Sequence, residues 1–152
     1  VSGHFFEGIL GPQYMMSRSL RLFQEKENET ISFINAADPI SPSGLRLNAF
    51  EGKLPRRIAS NHLVFHGTSL VLTTARLGKS LTFHVPPDDP RIADYLAVLS
   101  HLCCRAFQPV KQLRIEDINS EPAARSPYLA ALEAQFNVIR DHKTITIQRE
   151  MT

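Results

Sequence analysis

Tryptophan is absent from this chain and cysteine nearly so. The two thiols, Cys103 and Cys104, are neighbours, and such a pair cannot close the kind of framework that staples small secreted domains. That points to a reducing compartment, the cytosol. No apolar run approaches the roughly 20 residues needed to span a bilayer, and neither a signal-peptide pattern nor an initiator Met opens the sequence. A start at Val1, close to strand-like sequence, is read as that of a fragment cut from a longer protein, one domain over residues 1–152. Neither sign of charge dominates: 17 Lys and Arg face 15 Asp and Glu, for a net +2. This balance permits a nucleic-acid partner without demanding one. A glycine-rich phosphate loop is also missing. Leu77-Gly78-Lys79-Ser80 contains Gly-Lys-Ser, but it lacks the upstream glycine and leads into a strand, where a phosphate loop needs a helix N-terminus. With no paired acidic motif for magnesium either, the chain is expected to carry no ATP chemistry and no catalysis of its own.

What is there suits a soluble domain: 152 residues, 43% of them hydrophobic, suffice for a single core. Residues 4–6 read as a short aromatic strand before turns at Gly8 and Gly11-Pro12. Ser17 is placed to cap a helix over 18–24, with Arg18 and Arg21 outward. Residues 31–34 alternate as a strand that Asp38-Pro39 and Pro42-Ser43-Gly44 close off. The clearest pattern lies in the middle. Runs at 63–65, 70–74 and 81–85, separated by turns at Gly67 and Gly78, leave no room for crossover helices and predict an antiparallel meander. Asp88-Asp89-Pro90 then opens a helix over 91–106, whose Tyr95, Leu96, Leu99, Leu102 and Cys103 form one apolar stripe. Residues 112–118 read as a strand, Ser126-Pro127 as the cap of a second helix reaching Phe136, and 144–148 as a closing strand. The fold class is α+β: a curled antiparallel β-sheet or incomplete β-barrel with two or three flanking helices.

Sites of chemistry are sparse. His62 and His66 have the spacing of a zinc-binding helix but flank a strand, where four extended residues part them by ~13 Å. His101 and Cys104 share a helix face without two further ligands, so no metal is expected. Cys103 lies on the apolar stripe as a filler. Two roles are open to Asp38: a turn carboxylate that accepts nearby backbone N–H groups, or an acid that activates water at a barrel mouth. The cations gather loosely, with Lys53, Arg56 and Arg57 ahead of the meander and Arg76 and Lys79 at its second turn. A surface that tracks a nucleic-acid strand needs such charges for phosphates and exposed aromatics for stacking.

Several motifs recur in a telling order. His4-Phe5-Phe6-Glu7-Gly8-Ile9-Leu10-Gly11-Pro12-Gln13-Tyr14 comes first, then Ala36-Ala37-Asp38-Pro39, then a basic stretch with Gly and Pro over 52–67. Ile118-Asn119-Ser120-Glu121-Pro122-Ala123, Ser126-Pro127, a helix over 128–136 and a strand over 144–149 complete the set. This succession resembles the C-terminal DEAD/H-associated region of Lhr-type (long helicase-related) superfamily 2 helicases and covers almost the whole chain. Ser120 stands where that family usually has Gly, and Gln135 precedes Phe136 where Gly is usual.

The resemblance implies an accessory domain of an ATP-driven 3′-to-5′ translocase that unwinds DNA or RNA:DNA duplexes in the cytoplasm, at the nucleoid. Its partners would be single-stranded nucleic acid and the motor and winged-helix domains of the same parent chain, with no membrane. ATP and Mg would belong to the parent, and no cofactor to this domain. Lys53, Arg56, Arg57, Arg76 and Lys79 are the expected phosphate contacts, chosen by charge and loop position and not carried over from a family motif. Related winged-helix and barrel assemblies include DNA-repair glycosylases, for which Asp38 and Gln13 would be the candidates. A purely structural interaction module is the third reading.

Overall fold

The computed structural model describes residues 1–5, 7, 9–19, 29–104 and 112–148, without the side chain of Cys104. At the start, β1 (Ser2–Gly3) pairs antiparallel with β2 (Gln13–Tyr14). The first strand thus precedes the expected 4–6: His4 and Phe5 follow it, and Phe6 lies outside the described residues. Of the expected helix 18–24, residues 17–19 form a 3₁₀ turn and 20–24 lie outside the described residues.

The meander is present as expected. Strands β3 (Ile31–Asn35), β4 (His62–His66), β5 (Ser69–Ala75) and β6 (Ser80–Phe83) pair antiparallel in sequence order. Gly67, at φ +58°, turns β4 into β5, and a bulge between Val64 and Phe65 shifts their register. Such a bulge bends the strand and sharpens its twist. The turn from β5 to β6 holds three successive left-handed residues, Arg76, Leu77 and Gly78, at φ +54°, +59° and +85°.

The expected helix 91–106 is two helices, α1 (Ile92–Tyr95) and α2 (Ala97–Cys104), with residue 106 outside the described residues. At the joint, Leu99 N–H donates to the Leu96 carbonyl three residues back, at 2.9 Å, the tighter bonding of a helix being restarted. The predicted stripe is still presented to the core, because Tyr95, Leu96, Leu99 and Leu102 are buried in it and Ile92 and Cys103 pack against it. Tyr95 also ties α1 to the sheet through its hydroxyl, 3.0 Å from His66 Nδ1. Burial, and then the neighbouring Asp89, raise the pKa of that hydroxyl.

The expected strand 112–118 is broken at Glu116. Residues before the break form β7 (Gln112–Ile115), and those after it form β8 (Asp117–Ile118), in a different sheet. β8 runs parallel to β6 and pairs antiparallel with β9 (Glu121–Pro122), which completes the six-stranded sheet β3-β4-β5-β6-β8-β9. After α3 (Leu129–Gln135), β10 (Asn137–Arg140) and β11 (Ile145–Gln148) join β7 in a three-stranded sheet ordered β10-β11-β7. The main core fills the space between these sheets and the helices. Phe83 and Tyr128 stack within it at 4.2 Å and 6°, and the Tyr128 hydroxyl donates to the Val85 carbonyl at 2.6 Å. The result is an α+β fold with a curled sheet and flanking helices; no sheet closes into a barrel among the described residues.

The β8–β9 hairpin carries one departure from the pattern of the resembled family. Its two turn residues, Asn119 and Ser120, both have positive φ, +52° and +66°, the type I′ geometry that favours Asn-Gly. Asn119 suits it, since its Oδ1 also accepts from Phe83 N–H at 2.7 Å. Ser120 is exposed and strained. A non-glycine residue pays roughly 1–2 kcal/mol there, against which glycine's extra freedom when unfolded costs about 0.4–1 kcal/mol. Ser120→Gly is therefore expected to stabilise the protein by about 1 kcal/mol, read as a thermal midpoint about 2–4 °C higher by circular dichroism. A midpoint that stays put or drops would show that the turn is not strained.

Candidate nucleic-acid interface

Between β3 and β4 runs a connection, residues 36–61, far longer than the ~4–6 residues that usually join neighbouring strands. It is seated on the sheet by a small second core: Ala36, Leu63 and Leu70 are buried, with Phe50, Leu54 and Phe65 packed against them. Phe50 meets Phe65 edge-on, at 5.9 Å and 78°. Its first turn belongs to Asp38, whose Oδ1 accepts from Ile40 N–H at 3.0 Å while its carbonyl accepts from Ser41 N–H at 3.0 Å. The Arg57 guanidinium then reaches back to the carbonyls of Asp38, at 3.2 Å, and Pro39, at 3.5 Å. The buried Asn61 amide pins the far end by donating to the Arg56 carbonyl at 3.0 Å. Packing and hydrogen bonds thus fix the path of the connection although it lacks strands.

That path brings four cations together. Arg46, Arg56 and Arg57 line an open cavity of about 400 Å³ beside Phe50 and Leu54, and Lys53 lines a second cavity, of about 480 Å³, that Phe50 also borders. All four are exposed, and among the described residues none forms an ion pair. One carboxylate, Glu51, stands at the first cavity. Sequence reasoning does not single out Arg46. It sits between Leu45 and Leu47, and only the closing of the connection, with Arg57 reaching back to the carbonyls of Asp38 and Pro39, sets it beside Arg56 and Arg57.

The other expected cations are placed differently. Arg76 donates to Glu116 at 2.6 Å and to Asp117 at 2.7 Å, and Lys79 lies 3.8 Å from Glu116. Asp117 also accepts from the Ser80 hydroxyl. These contacts clasp the β5–β6 turn to the corner at Glu116, and they leave Arg76 and Lys79 facing two carboxylates. The basic residues of the sequence therefore form two groups, one free of acidic partners among the described residues and one locally neutralised.

The enzymatic candidates are also engaged. Gln13 uses both ends of its amide to hold the preceding loop, accepting from Phe5 N–H at 2.8 Å and donating to the Ile9 carbonyl at 3.0 Å. Asp38 borders a polar cleft of about 350 Å³ with Asn35, His62 and His101. There the Asn35 amide nitrogen donates to the Ala59 carbonyl at 2.8 Å and faces His62 Nε2 at 3.1 Å, which makes that ring nitrogen an acceptor. His101 packs against Phe33, with ring centroids 4.9 Å apart, and Cys103 is partly buried against the main core. Among the described residues no three His, Cys, Asp or Glu side chains converge as a metal site would require, and no helix is long and apolar enough to cross a membrane. No family model matches the chain, and no curated protein matches it in sequence.

Proposed function

We propose that this domain is a non-catalytic accessory module of an Lhr-type helicase, contacting single-stranded DNA or the displaced strand of an RNA:DNA duplex through the 36–61 connection. The observation that carries the reading is the cluster of Arg46, Lys53, Arg56 and Arg57, exposed, without acidic partners among the described residues, and grouped around a half-buried aromatic ring. Unpaired cations held by a seated loop attract phosphates without giving up an existing ion pair. A strand across them needs no base-specific donors, as suits a translocating motor that must pass every sequence. The motor and winged-helix domains of the parent would supply ATP, Mg and most of the affinity, in the cytoplasm at the nucleoid.

Binding of labelled single-stranded oligonucleotide, followed by fluorescence anisotropy across salt, tests this. About four phosphate contacts predict a slope of log K against log salt near −3, since each contributes roughly −0.7 on a single strand. No binding at low salt, or binding indifferent to salt, would reject the reading. The competing glycosylase reading predicts abasic sites on damaged duplex, with activity lost in Asp38→Asn.

A further inference from the structure

Phe50 borders three cavities, those of Arg46, Arg56 and Arg57, of Lys53, and a third of about 290 Å³ shared with Phe5, Leu47 and Glu7, whose carboxylate makes it no place for a phosphate. It closes the 3₁₀ turn Asn48–Phe50, and its packing on the small second core and its edge-on contact with Phe65 hold the ring in place. The cavity on the Lys53 side is lined besides by Thr68, Ser69 and His84, all hydrogen-bond donors or potential donors, and by no carboxylate. Within His84 the Nε2 atom is sealed from solvent and has no hydrogen-bond partner among the described residues, which leaves Nδ1 as the nitrogen open to a ligand. Burial, then the Lys53 charge, lower the pKa of this ring below its ordinary 6.5. A neutral ring carrying its proton on Nδ1 adds a donor beside the ammonium.

A half-buried aromatic ring that borders two cation-lined cavities offers the elements of one nucleotide step: a base flanked by two phosphates. We propose that Phe50 is a base-stacking platform, with one adjoining phosphate held by Arg46, Arg56 and Arg57 and the other by Lys53, Thr68, Ser69 and His84. This rests on the strand-contacting reading and goes further, because it fixes where the strand crosses and which side chain meets a base. Stacking is indifferent to base identity, so the platform holds a strand without reading it.

The absence of tryptophan makes a clean test. Phe50→Trp introduces a single indole at the platform, and titration with oligo-dT should quench its emission in step with the anisotropy change. Phe50→Leu, confirmed as folded by its circular dichroism, should bind about tenfold more weakly with an unchanged salt slope. Lys53→Ala should flatten that slope by about 0.7 and leave the quenching of the indole variant intact. If the unsubstituted domain binds strand but the indole emission does not respond and Phe50→Leu binds as the unsubstituted domain does, the platform is overturned and the strand-contacting reading stands. If the unsubstituted domain does not bind, both fall together.

Discussion

Gly78→Ala is expected to cost about 3 kcal/mol of stability, one of the two largest effects anticipated for this protein. Two independent causes add. The residue sits at φ +85°, where any side chain meets its own carbonyl and pays roughly 1–2 kcal/mol. The turn also lies directly on the core. A Cβ at this position would stand 2.8 Å from Leu113 Cδ2, 3.1 Å from Leu113 Cδ1 and 3.3 Å from Leu102 Cδ1. Methyl groups are the flexible ends of side chains and yield easily when they have somewhere to go. These do not, because Leu113 and Leu102 are 3% and 1% exposed, and overpacking a filled core costs about 1–3 kcal/mol.

A second glycine separates the two causes. Gly52 has φ +71°, and a Cβ there would meet nothing within 4 Å. Gly52→Ala should therefore lose only the backbone contribution, about 1 kcal/mol. Urea unfolding of the two variants against the parent gives the comparison, with unchanged m values expected for both. Equal losses in the two would mean that the core gives way around Leu113 and that the close approach of the turn contributes nothing.

Gly78 marks a part of the fold that is legible in the sequence. Gly-punctuated β-rich runs specify the meander locally, since pairing partners follow one another along the chain and each turn shows its own residue type. What is not legible depends on pieces that meet only in three dimensions. Leu113 and Ile115 are buried two apart and Ile118 after one extra residue, a slip in the alternation that by itself does not announce a change of sheet. The switch between sheets is fixed instead by Glu116 N–H donating to the Lys79 carbonyl at 2.8 Å and by the Arg76 clasp. β10 is hidden for the opposite reason. Only Val138 of its residues is even partly buried, so the strand is held by its ladder with β11 and has no alternation to read. The break at Leu96 leaves no trace either, because the stripe is continuous through it.

The cations illustrate the same divide at the site. Their number and approximate positions can be read from the sequence, but their pairing cannot. Arg76 and Lys79 look no different from Arg56 and Arg57 until β8 arrives beside β6 and brings Glu116 and Asp117 with it. Arg46 looks like an isolated charge in an apolar stretch until the connection closes.

Charge reversal in the group without acidic partners among the described residues, Arg56→Glu with Arg57→Glu, is expected to weaken single-strand binding by at least about 100-fold at low salt and to flatten the salt dependence almost completely. The arithmetic follows from counterion release. Each neutralised phosphate contributes roughly −0.7 to the slope, so losing two cations and gaining two acids takes the group of four to a net charge near zero and removes nearly the whole of the expected −3. The fold should survive, since both side chains are exposed. What Arg57 loses is a pair of exposed hydrogen bonds to the carbonyls of Asp38 and Pro39, worth about 1 kcal/mol between them when solvent competes. Arg76→Ala supplies the contrast. Its guanidinium is already engaged by Glu116 and Asp117, so removing it takes no phosphate contact from a strand on the 36–61 connection, and binding should change less than about threefold. The two variants thus separate a strand path along the 36–61 connection from one across the β5–β6 turn. A larger loss in Arg76→Ala than in the double reversal would move the path to the turn, with the acidic clasp opening to admit it.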